Sequence, residues 1–296
     1  MILTKTNIKE KAIHGFFLFN GLLVLIILLG IFILLIFTSA PAFKDINIKE
    51  FLFSANWNPT SYVKPAYGIL AMCVSTLMVT LGAMFIAVPL GIGTAAYLSD
   101  VASPKVREVV KPVVEMLAGI PSVVIGFLGI VLINPIIAKI FGLPNGLNAI
   151  NGSILLAIMA LPTIISISED ALLSVPESFS HASFALGANR WQTVVRVKIP
   201  AAASGIVASC MLGMGRAIGE TMTVLMATGC APAMPNSFFD SVRTMSSAIA
   251  IELGEVAYNT THYYSLFAVG LVLFIITFLV NMVSDIILHK YQRNVR

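Results

Sequence analysis

Long apolar runs separated by shorter polar segments dominate the chain. Several of these runs reach the roughly 17 residues that a helix needs to cross a hydrocarbon core about 30 Å thick. They are continuous, whereas the strands of a membrane barrel alternate apolar and polar residues with a period of two. The pattern therefore predicts an all-α integral membrane protein with six transmembrane helices, at about Phe16–Phe37, Gly68–Tyr97, Val113–Ile133, Gly152–Ile167, Pro200–Met226 and Ser265–Leu288.

Prolines and polar segments divide this pattern further. The sequence predicts a break near Val88–Pro89 in the second span and another at Leu161–Pro162 in the fourth. Residues 168–198 are amphipathic and read as helical from Ser178 onward, too polar to cross the membrane and too regular for a plain loop. The other polar segments predict loops at 38–66, 99–112, 134–151 and 228–263, the last with a short helix within Val242–Glu255.

The first apolar run has an alternative interpretation as a cleaved signal peptide. Ala40-Pro41-Ala42 matches the small-residue pattern of a cleavage site. The run is longer than the roughly 7–15 apolar residues of a signal core, which favours a retained transmembrane helix.

Composition excludes several classes of protein. Of the 296 residues 58% are hydrophobic and 11% charged, whereas a soluble domain carries about 25% charged residues. The three cysteines form no CxxC pair and the four histidines are far apart, so no metal and no other cofactor is expected. The motifs GxxxxGK[ST], HExxH and GxSxG are missing from the sequence, so we expect no enzyme, and any ATP must be used by a partner. Membrane lipid is an expected contact and nucleic acid is not.

The placement of basic residues predicts the orientation in the membrane. Residues 1–15, 99–112, 168–198 and 289–296 together hold 12 of the 18 lysines and arginines, the opposite loops hold 5, and Arg216 lies within a span. The positive-inside rule then places both termini in the cytoplasm of a multi-pass plasma-membrane protein. An even number of spans agrees with this orientation.

Two charges interrupt the fifth span. Arg216 and Glu220 lie in the stretch Gly213–Thr221, and each charge costs roughly 2.5–3.5 kcal/mol at the centre of a membrane helix. Four residues apart on a helix, the two side chains share one face and are expected to pair. Gly213, Gly215 and Gly219 thin the same segment, which allows a solute or another backbone to approach. The stretch predicts a path for an anion, and the alternative is a purely structural ion pair.

The amphipathic segment carries a further pattern. His181-Ala182-Ser183-Phe184-Ala185-Leu186-Gly187, then nine residues, then Val197-Lys198-Ile199-Pro200 resembles the loop of ABC-importer permeases, EAA-x3-G-x9-I-x-L-P. Ala182, Gly187, Pro200 and the spacing match, whereas His181 stands where the family has Glu. The resemblance implies a coupling helix within about 178–198 that docks into a groove on a cytoplasmic ATPase, with these four residues in the coupling role. The alternative is a helix on the membrane surface with solvated charges.

Three more motifs narrow the resemblance to phosphate-specific transport permeases of the PstC type. They are Leu117-Ala118-Gly119-Ile120-Pro121-Ser122-Val123-Val124, Leu161-Pro162-Thr163-Ile164-Ile165-Ser166-Ile167-Ser168-Glu169-Asp170-Ala171-Leu172 and Gly215-Arg216-Ala217-Ile218-Gly219-Glu220-Thr221-Met222. The resemblance runs from about Gly68 to the C-terminus. It implies a type I (MetI-like) permease core at 67–296, preceded by residues 1–66 with an extra first helix and an outer loop.

The same resemblance implies partners and a substrate. The partners are a homologous PstA permease, two PstB ATPases and an extracytoplasmic phosphate-binding protein, PstS. Arg216 and Glu220 map onto the family's residues in the phosphate path, and Thr221 follows them. Arginine presents a planar fork of donors to an oxyanion. Glu220, if ionised, accepts a hydrogen bond from protonated phosphate, which sulfate cannot offer.

Other functions stay open from the residues alone. A permease for another oxyanion, such as sulfate or molybdate, fits the same arginine. A secondary anion transporter coupled to ions through Glu220 needs no ATPase. A structural or assembly protein gives the two membrane charges no purpose. If the importer interpretation holds, an ATPase that moves residues 178–198 displaces Arg216 and Glu220 through the short connection at Pro200.

Overall fold

The chain folds as a helical bundle in a computed structural model, which describes the backbone of residues 3–61 and 63–294. The described ranges contain one short antiparallel strand pair, Trp57–Asn58 with Ala66–Tyr67. The helices in chain order are α1 Leu3–Ser39, α2 Ala42–Asp45, α3 Ile48–Phe53, α4 Leu70–Asp100, α5 Pro104–Ala118, α6 Ser122–Leu128, α7 Asn134–Phe141, α8 Ala149–Leu173, α9 Glu177–Ala185, α10 Arg190–Thr193, α11 Ile199–Ala201, α12 Ala203–Gly219, α13 Met222–Ala227, α14 Met245–Glu252 and α15 Thr261–Asn294.

The described part of the chain has five to six candidate membrane spans, and six is the count expected from the sequence. Five helical segments in the described part of the chain are long and apolar enough to span a bilayer, namely α1, α4, α6 with α7, α8 and α15. The sixth is a bent pair, in which the segment Arg190–Ala201 meets α12 at 73°. Two π-helical turns, Gly129–Ile133 and Val194–Lys198, join α6 to α7 and α10 to α11.

Small residues let the three central helices α4, α8 and α12 approach closely. A Cβ added at Gly91 of α4 would lie 2.6 Å from Cγ2 of Ile164 in α8, and one at Gly213 of α12 would lie 2.8 Å from Cγ1 of the same residue. Glycine at both positions therefore allows two helices to close on one isoleucine. The apolar core around this contact includes Ala83, Ala87, Ala157, Ala160 and Ala217.

The first helix lies at the edge of the bundle. Helix α1 packs on α15, where Phe32 and Phe274 stack with ring centroids 5.4 Å apart. Most of its other apolar side chains are exposed. Exposed apolar residues on a membrane helix are the surface that lipid solvates.

Five predictions about breaks, loops and span ends are wrong. Helices α4 and α8 continue through Pro89 and Pro162 without the predicted breaks, because neighbouring helices and local adjustments accommodate proline in a membrane helix. Residues 99–112 are not a loop, since α5 forms from Pro104, and the third span begins at Ser122 rather than Val113. Part of the predicted loop 134–151 is the helix α7.

The fifth span also departs from its prediction. It begins at Ala203 after a bend, ends at Gly219 and resumes as α13 after an extended Glu220. Residues 168–173, expected in the amphipathic segment, belong to α8. The rest of that segment is helical as expected, in α9 and α10, and the short helix expected within Val242–Glu255 is α14.

Contacts between polar segments define two ends of the bundle. At one end Lys198 pairs with Asp100, and the segments 99–118 and 168–201 meet. At the other end the carboxylate of Glu252 contacts Trp57, Arg243 and His262 at 2.7–3.0 Å. The grouping matches the two sets of loops that the charge bias separates. Residues 295–296 of the basic C-terminal tail lie outside the described residues, as do the side chains of Lys5, Lys9, Lys290 and Arg293.

Candidate functional site

Arg216 and Glu220 are close in sequence, but they do not form the predicted pair. Helix α12 ends at Gly219, and Glu220 adopts an extended conformation with φ −68° and ψ 133°. The i,i+4 geometry that the pairing needs is therefore lost one residue before the glutamate. Arg216 takes no part in the ion pairs of the described residues.

The break places Glu220 among three other segments. Its Oε1 accepts from the main-chain N–H and from the hydroxyl of Thr223 in α13, both at 3.3 Å. Its main-chain oxygen accepts from Ser246 of α14 at 2.9 Å. Thr223 is buried, and its hydroxyl also lies 3.1 Å from the main-chain oxygen of Ser122 at the start of α6. Glu220 is thus positioned by α13 and α14 instead of by Arg216.

Arg216 lies on the open face of α12. Leu212, Arg216 and Gly219, at spacings of four and three residues, are exposed, while Gly213 and Ala217 on the other face are buried against α8. Arg216 is 13 residues beyond Ala203, which places it about 20 Å along the helix. A charge at this depth is too costly to face lipid and normally faces protein or water. The open face of α12 therefore belongs to an interface or an aqueous path.

Thr221 follows the break and is half-buried. Its hydroxyl has a single recorded contact within the described chain, 3.4 Å from the main-chain oxygen of Gly219. The site residues Arg216, Glu220 and Thr221 therefore lie along one break in the fifth span. Among the described residues Arg216 has no ion pair, and the Thr221 hydroxyl contacts only the main-chain oxygen of Gly219.

The segment predicted to couple to an ATPase is a pair of short helices, α9 and α10. Gly187 allows the turn between them, because its φ of +82° lies in the left-handed region that favours glycine. Asn189 caps α10 in a reciprocal box with Gln192, and Ser183 bonds Thr193 at 3.0 Å across the pair. His181, Ala182, Gly187 and Pro200 are all exposed.

Apolar side chains project from this helix pair. Leu186 is 90% exposed and Trp191 72%, and Phe179 and Phe184 are also exposed. Large exposed apolar residues rimmed by polar ones mark sites of protein interaction. The site lies at the end of the bundle where α4 and α8 finish, so the pair is a surface suited to a partner outside the membrane.

A second charge cluster, which the sequence analysis did not single out, lies beside this segment. We refer to Arg107 and Lys111 of α5 with Glu169 of α8 as the Glu169 cluster. The Glu169 side chain is 1% exposed, with Oε1 2.8 Å from Nε of Arg107 and Oε2 3.3 Å from Nζ of Lys111. Asp170 adds an exposed carboxylate 3.4 Å from Lys111. The signal in the sequence was the spacing of Arg107 and Lys111, which puts both cations on one helix face.

The carboxylates of the cluster maintain the charge of Lys111. Burial lowers the pKa of Lys111, but the bond to Glu169 and the charges of Glu169 and Asp170 outweigh it, so the pKa lies above its ordinary value. A raised folded-state pKa stabilises the fold at pH values below the ordinary lysine pKa, and the stabilisation is lost only as the pH rises through the raised value. Lys111 therefore stays charged throughout the neutral range.

Comparisons with known proteins agree with this architecture. A family model described as binding-protein-dependent transport system inner membrane component matches residues 87–296. The probable ABC transporter permease protein YqgH of Bacillus subtilis (strain 168) is 41% identical over 230 residues, covering 78% of this chain and 74% of the relative. The phosphate transport system permease protein PstC of Mesorhizobium japonicum is 35% identical over 289 residues, covering 91% and 87%. The PstC of Haemophilus influenzae is 32% identical over 292 residues, covering 92% and 91%.

Solved structures of importers share the fold. An inward-facing structure of the MetNI methionine ABC transporter matches with a TM-score of 0.60 and 22% identity, covering 75% of this chain and 95% of that one. A bacterial alginate ABC transporter in complex with alginate pentasaccharide-bound periplasmic protein matches with a TM-score of 0.65 and 17% identity, covering 100% and 99%. The all-α architecture with up to six spans is thus that of an ABC-importer permease.

Proposed function

The chain belongs to the family of binding-protein-dependent transport system inner membrane components, and from this membership we propose that it is the permease subunit of an ATP-driven importer that moves inorganic phosphate across the plasma membrane. The observation that carries the substrate is the set of relatives named as phosphate permeases, which match about nine tenths of the chain at 31–35% identity. The arginine in the fifth span supplies the chemistry, because a guanidinium is always charged and binds oxyanions through a planar fork.

The open surfaces of the chain support a heteromeric assembly. The exposed face of α12 that carries Arg216 needs cover at membrane depth, and a homologous PstA-like permease provides it. The chain has one exposed α9–α10 pair, so two PstB-like ATPases require a second permease with an equivalent surface. A PstS-like phosphate-binding protein would deliver substrate at the end that carries Glu252. The chain carries no GxxxxGK[ST] motif, and hydrolysis of ATP is assigned to the partner.

The coupling role belongs to the α9–α10 pair. Ala182 and His181 lie on the exposed surface of α9, Gly187 forms its turn, and Pro200 follows at the bend into α12. Apolar contacts of Val175, Val194 and Ala202 hold this bend together. A displacement of α9 by an ATPase would therefore reach α12 without dissipating in a flexible loop.

The substrate path runs along the break in the fifth span. Arg216 is the anion ligand, because its guanidinium is free of a carboxylate in the described chain and need not be released from one before phosphate binds. Glu220 Oε1 is engaged by Thr223, and Oε2 has no hydrogen bond with the described residues. This second oxygen is the acceptor for the proton that phosphate carries and sulfate lacks. Thr221 lines the same path.

The membrane orientation follows from the same assembly. The end with α9 and the Glu169 cluster faces the cytoplasm, because the ATPases are there and the basic loops cluster at that end. Both termini are then cytoplasmic. Residues 1–66 form a peripheral helix with its outer loop, and residues 67–296 form the permease core.

Transport by the reconstituted complex tests this function. Proteoliposomes containing this chain, its partner permease and the ATPases would receive labelled phosphate with the binding protein outside and ATP inside. We expect ATP-dependent uptake that excess unlabelled phosphate abolishes and that sulfate and molybdate leave unchanged. Competition by sulfate or molybdate at equal concentration would assign the permease to another oxyanion. Uptake without ATPase subunits would instead indicate a secondary transporter.

Substitutions in the path test the assigned residues. Arg216→Gln and Glu220→Gln are expected to reduce phosphate uptake in complexes that assemble in normal yield. The matched control is Lys139→Gln, whose exposed side chain in α7 takes part in none of the ion pairs of the described residues. Wild-type uptake in both path variants would reject the path while leaving the importer function in place.

A further inference from the structure

The Glu169 cluster joins two helices that the chain does not connect directly. Glu169 lies in the last two turns of α8, four residues before that helix ends at Leu173. Arg107 and Lys111 lie on one face of α5. The apolar side chains of Leu98, Val114 and Ile165 also pack together where α5 meets α8. A buried carboxylate is tolerated only with partners, so the two cations fix where α5 can lie on α8.

The end of α8 is also the start of the coupling segment. Three residues, 174–176, separate Leu173 from α9 at Glu177. Leu172 and Val175 are buried in one apolar cluster with Val194 and Ala202. The end of α8 therefore packs in one cluster with the π-helical turn Val194–Lys198, and α9 contacts the same turn.

On the other side of the cluster, α5 leads to the break in the fifth span. Helix α5 ends at Ala118, and α6 begins at Ser122 after the Gly-Ile-Pro turn. The main-chain oxygen of Ser122 accepts the hydroxyl of Thr223 at 3.1 Å, and that hydroxyl lies 3.3 Å from Glu220 Oε1. Helix α13, which carries Thr223, packs along α6.

We propose that Glu169 is a positioning residue for transport, which links α8 to α5 so that movement of α9 reaches Ser122, Thr223 and Glu220 through α5 and α6. This connection is separate from the one through Pro200 into α12. It would move α13 on one side of the break while α12 moves on the other side. The inference rests on the proposed function, since it requires a chain that is driven by an ATPase at α9.

Two separate connections to one break have a mechanical consequence. If only α12 moved, the spacing between Arg216 and Glu220 would change through a single helix, and α13 would follow passively. With both connections intact, Arg216 and Glu220 are displaced by different elements, so their separation is set by the position of α9. The contacts that carry this connection are the ion pairs of Glu169 with α5 and the bonds of Thr223 to Ser122 and Glu220, and the turn 119–121 joins α5 to α6.

The experiment compares phosphate moved with ATP hydrolysed in the reconstituted complex. Glu169→Gln is expected to retain ATP hydrolysis stimulated by phosphate-loaded binding protein and to lower the phosphate transported per ATP by roughly 2- to 30-fold. Asp170→Asn is the matched control, because its side chain is exposed and Lys111 is its one ion-pair partner among the described residues. We expect the ratio in this control to equal that of the wild type.

A neutral triple variant separates coupling from folding. Arg107→Gln, Lys111→Gln and Glu169→Gln together remove the link without leaving an unpaired charge. We expect normal assembly, measured by co-purification of the ATPase, with the lowered ratio of the single variant. A wild-type ratio in the triple variant would overturn the proposal. Loss of assembly would also overturn it, because Glu169 would then be a requirement for folding. Failure of the wild-type complex to take up phosphate would instead reject the proposed function.

Discussion

Charged residues in or beside the membrane-spanning helices are arranged in opposite ways at two places in this permease. In the Glu169 cluster the carboxylate is buried and paired with Arg107 and Lys111 from a neighbouring helix. At the break in the fifth span Arg216 is exposed and without an ion pair among the described residues. The first group brings opposite charges together, whereas Arg216 in the second has no opposite charge beside it among the described residues.

The difference follows from the cost of burying charge. A paired buried carboxylate fixes the position of two helices, and its cost is met when the chain folds. If Arg216 binds the anion as proposed, a permanent internal partner would have to be displaced by the substrate. Under that proposal the break at Glu220 would favour binding, because it removes the glutamate from the helical position where it would pair with Arg216.

The largest expected effect on stability comes from removing the two cations of the Glu169 cluster. The double substitution Arg107→Gln and Lys111→Gln leaves Glu169 buried without a partner, and breaking buried pairs costs about 3–5 kcal/mol. Since the two cations are 36% and 30% exposed, water replaces part of their contribution, and we expect the lower end of this range. The free energy of unfolding of the purified complex in detergent measures the loss.

Adding Glu169→Gln to the double variant provides the control. The neutral triple variant should regain most of the lost stability, because no unpaired charge is left. Equal stability of the wild type and the double variant would show that the cluster is solvated and does not hold α5 to α8.

Substitution of Arg216 should affect transport and leave stability almost unchanged. Arg216→Gln removes no partner within the described chain, so the free energy of unfolding should change by less than about 0.5 kcal/mol. Phosphate uptake should fall by about 10- to 100-fold, as expected for the loss of a hydrogen bond to a charged group worth about 1.5–3 kcal/mol. The initial rate of uptake and a thermal unfolding curve on one preparation distinguish the two effects.

Arg216→Lys sharpens this test. Lysine keeps the charge but loses the planar fork, so we expect an uptake rate between those of the wild type and the glutamine variant. A large loss of stability in either variant would mean that Arg216 holds the fold, contrary to its exposed position.

The number and order of spans were predictable because apolar length alone determines which segments can cross a bilayer. The helical form of residues 178–198 was predictable from their amphipathic pattern, and their coupling role stays a prediction. In the structure Gly187 adopts a left-handed conformation at the turn between α9 and α10. Membership of the importer family was also within reach, because several motifs along the chain agreed.

The wrong predictions concern residues whose conformation depends on helices that pack against them from elsewhere in the chain. Pro89 and Pro162 looked like breaks, but helices packed around them keep α4 and α8 continuous. Glu220 looked helical because nothing in the sequence marks the residue at which α12 stops. Glu169 was overlooked because its partners lie about 60 positions earlier, and only the packing of α5 on α8 brings them together.

A smaller effect is expected at the turn of the coupling segment. Gly187→Ala places a side chain in the left-handed region, at a cost of about 1–2 kcal/mol. The α9–α10 pair should lose part of its docking geometry, which we expect to appear as weaker co-purification of the ATPase with unchanged phosphate binding by the binding protein. Gly254→Ala is the control, because that position is open and lacks the positive φ. Equal ATPase recovery in both variants would contradict the coupling role of the turn.

The smallest effects distinguish the two threonines at the break. Thr223 is buried, and its single hydroxyl proton lies between the main-chain oxygen of Ser122 and Oε1 of Glu220, so Thr223→Val should lower the free energy of unfolding by about 0.5–1.5 kcal/mol. It should also lower the phosphate transported per ATP, because it interrupts the connection from α6 to Glu220. Thr221→Val removes only a 3.4 Å contact with Gly219, so stability should be unchanged while uptake falls if the hydroxyl lines the path. We expect the Thr223 hydroxyl to stabilise the fold and the Thr221 hydroxyl to contact the substrate. The same effect on stability and on uptake in both variants would contradict this distinction.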